Sequence, residues 1–163
     1  MLIGILSDTH NQSRRTAAAI QLLEAEGAQV LFHCGDLTLP DIIGTCAVMP
    51  CYFVFGNNDV DRVDEIQAEI NQFDGAVCLG WGGDVELAGK RIAMTHGHLS
   101  KEYRRLLATN PDYLFLGHSH FAADHREGVT RIINPGALHR AQEFTVALLN
   151  LENQNLKFLP VSA

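Results

Sequence analysis

Long apolar runs are absent from this sequence of 163 residues. No uninterrupted apolar stretch approaches the roughly 20 residues that a membrane-spanning helix needs, so we expect no membrane segment. The first residues, Met1-Leu2-Ile3-Gly4, enter a strand-like pattern at once, without a basic region or a cleavage site. We therefore expect no signal peptide and a cytoplasmic protein.

Positive charge is also scarce. The chain has 12 basic against 19 acidic residues, a net charge of −7, and its basic clusters, Arg14-Arg15 and Arg104-Arg105, are two residues long. A protein that binds long nucleic acid does so largely through basic side chains that contact the negatively charged phosphates. We therefore expect no long nucleic acid as a partner.

Cysteine is sparse, and its spacing matches no zinc-finger pattern. We interpret the four cysteines as buried thiols of a reducing compartment: Cys34, Cys46, Cys51 and Cys78. The hydrophobic fraction of 47% and the charged fraction of 19% are typical of a soluble globular protein. With no internal repeat and no linker, the sequence predicts a single domain over residues 1–163.

The first part of the chain has the pattern of a parallel α/β fold. Three short apolar runs, Leu2–Leu6, Val30–Phe32 and Tyr52–Phe55, predict strands buried on both faces. Helices are predicted from about Ser13 to Gly27 and around Asp41–Cys46. This alternation predicts parallel pairing through right-handed crossovers.

The second part is richer in strands. We expect one helix capped by Asp61 and another capped by Ser100 and closed by Pro111. The predicted strands include a hairpin and a closing antiparallel pair, and they cover residues 85–87, 91–94, 113–116, 131–133, 144–151 and 155–160. The whole pattern favours an α/β fold of two packed mixed β-sheets flanked by helices.

Five of the predicted strands are followed by aspartate, asparagine or histidine residues. The ends read Asp8-x-His10, Gly35-Asp36, Gly56-Asn57, His96-Gly97-His98 and Gly117-His118-x-His120. Ligand sites gather beyond the carboxyl ends of parallel strands, and mixed oxygen and imidazole donors suit Mn, Fe or Zn. The interleaved glycines would let several loops approach closely.

Each of these residues has a simpler interpretation when taken alone. Asp8 or Asp36 could cap a helix, Asn57 could occupy a turn, and a single histidine is more often a hydrogen-bonded core residue. Together, these readings require five separate strand ends to carry metal-ligand types by chance. We therefore prefer a metal site.

In this order the motifs resemble those of the calcineurin-like metallophosphoesterases, and among them the small YfcE-like bacterial and archaeal phosphodiesterases. The resemblance runs from Ile3 to about Gly136. It implies an αββα sandwich and two divalent metal ions, such as Mn, Ni, Fe or Zn. It also implies a ligand set in which Asp36 bridges the two ions, Asp8, His10 and His120 complete one site, and Asn57, His96 and His118 complete the other.

Two positions depart from the family pattern. Many members have a histidine directly after the ligand asparagine, where this chain has Asn58. Asn58 can donate a hydrogen bond to the phosphate but cannot act as a general acid. His98 is the remaining candidate proton donor, although it could equally orient a metal ligand. The second departure is Ala137, which stands where the family usually has a serine.

The resemblance implies a binuclear metal-dependent phosphodiesterase acting on a small soluble phosphodiester. The absence of long apolar runs predicts no membrane partner. Two alternatives stay open: a phosphomonoesterase using the same site, and a non-catalytic protein-interaction scaffold like the related retromer subunit. Loss of ligand residues would favour the scaffold, and this chain retains all seven. A homo-oligomer also stays open.

Overall fold

The computed structural model describes residues 1–162. Over this range the chain forms eleven β-strands, four α-helices and one 3₁₀ helix. The strands are β1 (Leu2–Leu6), β2 (Val30–His33), β3 (Cys51–Phe53), β4 (Ala76–Cys78), β5 (Gly82–Leu87), β6 (Lys90–Thr95), β7 (Tyr113–Phe115), β8 (Ala122–Glu127), β9 (Thr130–Pro135), β10 (Thr145–Asn150) and β11 (Leu156–Pro160). The α-helices are α1 (Ser13–Ala25), α2 (Asp41–Cys46), α3 (Val63–Ile70) and α4 (Ser100–Leu107), and the 3₁₀ helix is Asn57–Arg62.

The strands form two mixed sheets. The first has the order β11-β10-β1-β2-β3-β4 and the second the order β5-β6-β7-β9-β8. Strands β1 to β4 are parallel, as are β6, β7 and β9, while the remaining pairings are antiparallel. The parallel strands of each sheet send their carboxyl ends to one edge, which is where the polar motifs follow.

Apolar side chains between the two sheets form the central core. Ile5 and Phe32 of the first sheet belong to the same buried cluster as Phe115 and Ile133 of the second. The rings of Phe32 and Phe115 meet edge to face, with centroids 5.2 Å apart. This apolar contact over the sheet faces holds the two sheets together.

Helices cover the outer faces of both sheets. On the first sheet, Leu23 of α1, Ile42 of α2 and Ile66 of α3 are all fully buried in one cluster. On the second sheet, Leu106 of α4 packs with Leu114 and its strand neighbours. The layer order is therefore helix, sheet, sheet, helix, and the predicted αββα sandwich is confirmed.

Two strands and two helix starts differ from the sequence expectation. β4 was not predicted, and unlike the equally short β3 and β7 it has no buried residue; β8 was not predicted because its side chains are mostly exposed and mix both charges. Asp61 does not cap α3; it lies inside the 3₁₀ helix, and Arg62 precedes α3. Ser100 is the first residue of α4 rather than its cap.

All four cysteines are free thiols, three of them buried and Cys78 half-buried. Among residues 1–162, no helix combines the length and the apolar character that crossing a membrane requires.

Candidate metal centre

The seven predicted ligands lie at one edge of the sandwich, where strands of both sheets end. Asp8 and His10 follow β1, Asp36 follows β2, and the other four follow β3, β6 and β7. Each of the seven has a donor atom within 3.9 Å of another member of the set. The fold therefore brings together in space all of the residues that the sequence singled out, from positions up to 112 apart.

One part of the cluster is built on Asp8. Its Oδ1 lies 3.1 Å from Nε2 of His120 and 3.9 Å from Nε2 of His10. The donor atoms of these three residues all lie within 4.8 Å of one another, close enough to hold one ion.

The other part is built on Asp36 and His96. Nε2 of His96 lies 3.5 Å from Oδ2 of Asp36 and 3.1 Å from Oδ1 of Asn57. Nδ1 of His118 lies 3.1 Å from the same Asn57 oxygen. Asp36 also lies 3.2 Å from Nε2 of His10, which belongs to the first part. Its carboxylate therefore stands between the two parts.

Asp8 lies close to both parts of the cluster, whereas the family pattern assigns it to one ion only. Its Oδ1 lies 3.8 Å from Nε2 of His96, and Asp8, Asp36 and His96 form a second group whose donor atoms all lie within 4.8 Å of one another. Both carboxylates thus face the space shared by the two parts of the cluster.

The arrangement has unpaired polar atoms that a cation would satisfy. Asp8 is fully buried, and its Oδ2 accepts hydrogen bonds from the Ser7 hydroxyl and the His118 N–H. Its Oδ1 has no hydrogen-bond partner, and neither has Nε2 of His10. Because a buried carboxylate oxygen without a donor is costly, these residues fit a bound cation.

The surroundings keep both carboxylates ionised. Burial acts to raise the pKa of Asp8, but the neighbouring imidazoles of His10 and His96 hold it below its ordinary value. The pKa of Asp36 lies well below its usual range, because the close imidazoles of His10 and His96 outweigh the effect of burial. Burial likewise acts to lower the pKa of His10, but the two carboxylates raise it to about 9. The site therefore holds negative charge that attracts cations.

Backbone carbonyls orient two of the imidazoles. Nδ1 of His96 lies 2.7 Å from the carbonyl oxygen of Cys34, and Nδ1 of His120 lies 3.2 Å from that of Arg140. When Nδ1–H donates to a carbonyl, the lone pair of Nε2 is left facing the carboxylates. Metal-binding histidines are commonly oriented in this way.

The backbone is left-handed at five of the seven positions. The φ angles are positive at Asp8 (53°), His10 (42°), Asp36 (58°), His118 (68°) and His120 (63°). Side chains with a Cβ rarely adopt this conformation, and such residues cluster at functional sites. Here the sharp turns aim successive side chains of one loop at the same point.

Two glycines allow the loops to meet. A Cβ at Gly56 would overlap the Asp36 carboxylate, and one at Gly117 would overlap the Ser7 side chain and approach Asp8. Any larger residue at either position would separate β1 or β2 from its neighbouring loop. The expected role of glycine in close loop packing is confirmed at these positions.

Asp59 supports the cluster, and sequence reasoning missed it. Its fully buried carboxylate accepts N–H hydrogen bonds from Asp36 (2.9 Å), Gly56 (2.7 Å) and Thr38 (2.7 Å). It therefore ties the loop after β2 to the loop after β3. In the sequence, the feature that connects Asp59 with the site is its position directly after Asn57 and Asn58.

His33 is a second support that the sequence did not assign. Its buried ring accepts the Gly35 N–H on Nδ1 at 3.2 Å, so Nε2 carries the proton and donates to the Thr9 hydroxyl at 3.1 Å. Burial lowers the pKa of His33 to about 4, so the ring is neutral at physiological pH. This contact joins the loop after β1 to the loop after β2.

Asn58 contacts the carboxylate predicted to bridge the ions. Its backbone N–H donates to Oδ1 of Asp36 at 2.9 Å, and its side-chain Nδ2 donates to Oδ2 at 2.7 Å. In this structure Asn58 therefore orients Asp36.

His98 lies beside the part of the cluster that contains His96 and His118. Its ring centroid is 5.4 Å from that of His96, 6.1 Å from that of His118 and 5.9 Å from that of Trp81. Its Nδ1 is buried without a partner. The pKa of His98 is lowered by burial first and then by the two histidines.

His139 also lies at the site, and the sequence did not predict it there. The His139 ring lies 4.6 Å from that of His10 at an interplanar angle of 33°. Its pKa is lowered by burial and by the positive charge of His10 and Arg140. His139 follows the Asn134-Pro135-Gly136 turn, and nothing in its local sequence connected it with the strand ends.

A sandwich of two sheets with carboxylates and imidazoles gathered at its strand ends defines a metallophosphoesterase. The chain belongs to the calcineurin-like phosphoesterase superfamily, whose domain matches residues 1–154. The resemblance found in the motifs is thereby confirmed, and so is the prediction of a phosphoesterase.

Individual relatives agree with this assignment. A phosphodiesterase of Methanocaldococcus jannaschii is 27% identical over 144 residues, which cover 83% of each protein. An archaeal phosphodiesterase of known structure superimposes with a TM-score of 0.88 at 23% identity, covering 98% of this chain and 99% of the other. The E. coli phosphoesterase YfcE superimposes with a TM-score of 0.70 at 19% identity, covering 99% and 100%. At these identities the two structures show a shared fold.

Proposed function

We propose that this protein is a binuclear metal-dependent phosphodiesterase that acts on small, soluble phosphodiesters. The observation that supports this most strongly is the pair of buried, ionised carboxylates of Asp8 and Asp36, surrounded by imidazoles and with an unpaired oxygen on Asp8. Such a donor set suits divalent Mn, Ni, Fe or Zn.

Asp8, His10 and His120 would hold one ion, and Asn57, His96 and His118 the other, with Asp36 shared between them. Two bound divalent ions would polarise the phosphoryl group and lower the pKa of an attacking water. Two ions contribute four positive charges against the two carboxylates, so the loaded site is cationic and favours an anionic phosphate ester.

The residues around the ligands would preserve this arrangement. Asn58 and Asp59 fix Asp36 from two sides, one through its carboxylate and the other through its backbone N–H. The His118 N–H fixes Asp8. A site whose donors are held before the ligand arrives loses less energy to reorganisation during the reaction.

The residues at the site provide no strong general acid to protonate the leaving group. Asn58 can supply a hydrogen bond to the phosphate only by giving up its bond to Asp36, and it cannot supply a proton. His98, half-buried beside His96 and His118, is the candidate proton donor. We therefore expect esters with good leaving groups to be favoured.

The net charge of −7 and the absence of long basic clusters support a small substrate over long nucleic acid. Cytoplasmic location stays a prediction, and a homo-oligomer stays open.

The deciding experiment compares bis(p-nitrophenyl) phosphate with p-nitrophenyl phosphate after metal stripping and readdition of Mn, Ni, Zn or Mg. The proposal expects metal-dependent release of nitrophenolate, faster from the diester. Faster cleavage of the monoester would establish the phosphomonoesterase instead. If no metal restores cleavage of either ester, the scaffold function gains support.

A further inference from the structure

We infer that the cavity beside His120 is a binding site for an aromatic group attached to the substrate phosphate. The inference rests on the proposed phosphodiesterase function and adds a substrate class to it, namely phosphodiesters with an aromatic ester group. The cavity has a volume of about 540 Å³ and is lined by His118, Ser119, His120, Phe121, Arg140 and Gln142. Two of these residues belong to the predicted ligand set, so the cavity opens directly from the metal centre.

Phe121 gives the cavity an unused aromatic surface. It directly follows His120, and its side chain is 72% exposed, the highest value among the exposed large apolar residues. Its backbone N–H contacts the Ser119 hydroxyl at 3.3 Å, which fixes the chain at this point. An exposed ring next to a phosphate site is suited to stack on an aromatic ring of a ligand.

Arg140 gives the cavity a positive charge. Its carbonyl oxygen receives the hydrogen bond of His120 Nδ1, so the Arg140 backbone is held next to a predicted ligand. Its backbone is left-handed, with φ of 45°. Among the ion pairs formed within residues 1–162, none involves Arg140, although acidic residues outnumber basic ones by 19 to 12. A guanidinium without a protein partner is suited to pair with the oxygens of an anionic ester.

Phe121 and Arg140 would contact different parts of the ligand. Phe121 would recognise the ring, and Arg140 would recognise the negative charge of the phosphoryl group to which the ring is attached. A nucleoside joined to a phosphate has this composition, and so has a simple aryl ester. Neither residue belongs to the seven-ligand set, so the site selects the substrate without binding metal.

Binding of phosphonates tests this assignment, because their carbon–phosphorus bond resists hydrolysis. Titration calorimetry with Mn-loaded protein would compare benzylphosphonate with methylphosphonate, which differ by one phenyl ring. We expect benzylphosphonate to bind about tenfold more tightly. Phe121→Ala should reduce its affinity to that of methylphosphonate and leave methylphosphonate binding unchanged.

Arg140→Gln should weaken both phosphonates about tenfold, because it removes a charge-assisted contact rather than the ring contact. Two matched variants serve as controls. Phe158→Ala removes an exposed aromatic residue on the edge strand β11, and Arg126→Gln removes an exposed arginine on β8. Both should bind like the wild type.

Equal affinity of the wild type for the two phosphonates overturns the inference, as does failure to bind either one. A preference for benzylphosphonate that survives Phe121→Ala overturns it as well. Failure of the proposed function is a separate result, since it appears as absent hydrolysis of bis(p-nitrophenyl) phosphate by the same Mn-loaded preparation.

Discussion

The carboxylate of Asp59 fixes the backbone of Asp36: its Oδ2 accepts the Asp36 N–H at 2.9 Å, across 23 positions of sequence. The same oxygen accepts the Gly56 N–H at 2.7 Å. A side chain that binds no metal in our assignment thus determines where two of the ligand loops lie.

Asp59→Asn should lower both stability and metal affinity. The amide nitrogen of asparagine would face backbone N–H donors, leaving buried groups unpaired at a cost of about 1–3 kcal/mol in the free energy of unfolding. Loss of support around the ligands should weaken metal binding about 10- to 100-fold. Denaturant unfolding and metal titration measure the two effects.

Asp61→Asn is the matched control, because Asp61 is exposed in the same 3₁₀ helix. It should stay within about 0.5 kcal/mol of the wild type. If Asp59→Asn behaved like Asp61→Asn, the supporting role of Asp59 would be wrong.

Metal removal should lower the melting temperature. Ions that bind the folded chain alone stabilise it by mass action, and they also satisfy the unpaired oxygen of Asp8. Thermal unfolding with a chelator, and again after Mn is restored, measures the change. A melting temperature that is the same in both conditions contradicts the metal assignment.

His33 should make stability fall in mild acid. Its pKa of about 4 in the folded state lies below the roughly 6.5 of an unfolded histidine, so the native state binds fewer protons between these values. Its contribution is complete above about pH 6.5 and is lost as the pH falls toward 4, by at most about 3 kcal/mol.

Unfolding of metal-free wild type and His33→Gln, compared between pH 6.5 and pH 4.5, isolates this contribution. The variant lacks the titrating ring, so its stability should depend less steeply on pH. Parallel pH profiles for the two proteins would show that His33 does not titrate as described.

His98→Ala should slow alkyl phosphodiesters more than nitrophenyl phosphodiesters if His98 supplies a proton. Loss of a general acid costs about 10²- to 10⁴-fold, and least where the leaving group departs without protonation. Kinetics on both substrate types, with metal content measured in parallel, distinguish the roles. Equal losses on both types, or loss of a metal, would assign His98 to positioning or ligation.

The ligand positions were predictable because each lies within five residues of the end of a strand whose apolar run is easy to recognise. Asp8, Asp36 and His118 are fixed by the ends of β1, β2 and β7, and parallel strands bring those ends to one edge. The pattern of strands and helices already favoured two packed sheets, and the family resemblance implied the same sandwich. The order of strands within each sheet was not predicted.

The supporting residues were not predictable in the same way. The partners of Asp59 and His33 are backbone groups and a hydroxyl in other loops, and no local spacing reveals such contacts. His139 and Arg140 reach the site through the turn after β9, whose path depends on packing between distant segments. These contacts became visible only in the folded arrangement.

Metal stoichiometry tests the central claim most directly. Protein purified without chelator and reloaded with Mn should contain close to two ions per chain, because seven ligands with one shared carboxylate supply two sites. Asp36→Asn should impair both sites, whereas His120→Ala should empty mainly one. A wild-type content that stays at one ion per chain or below, with Asp36 intact, would contradict the binuclear centre.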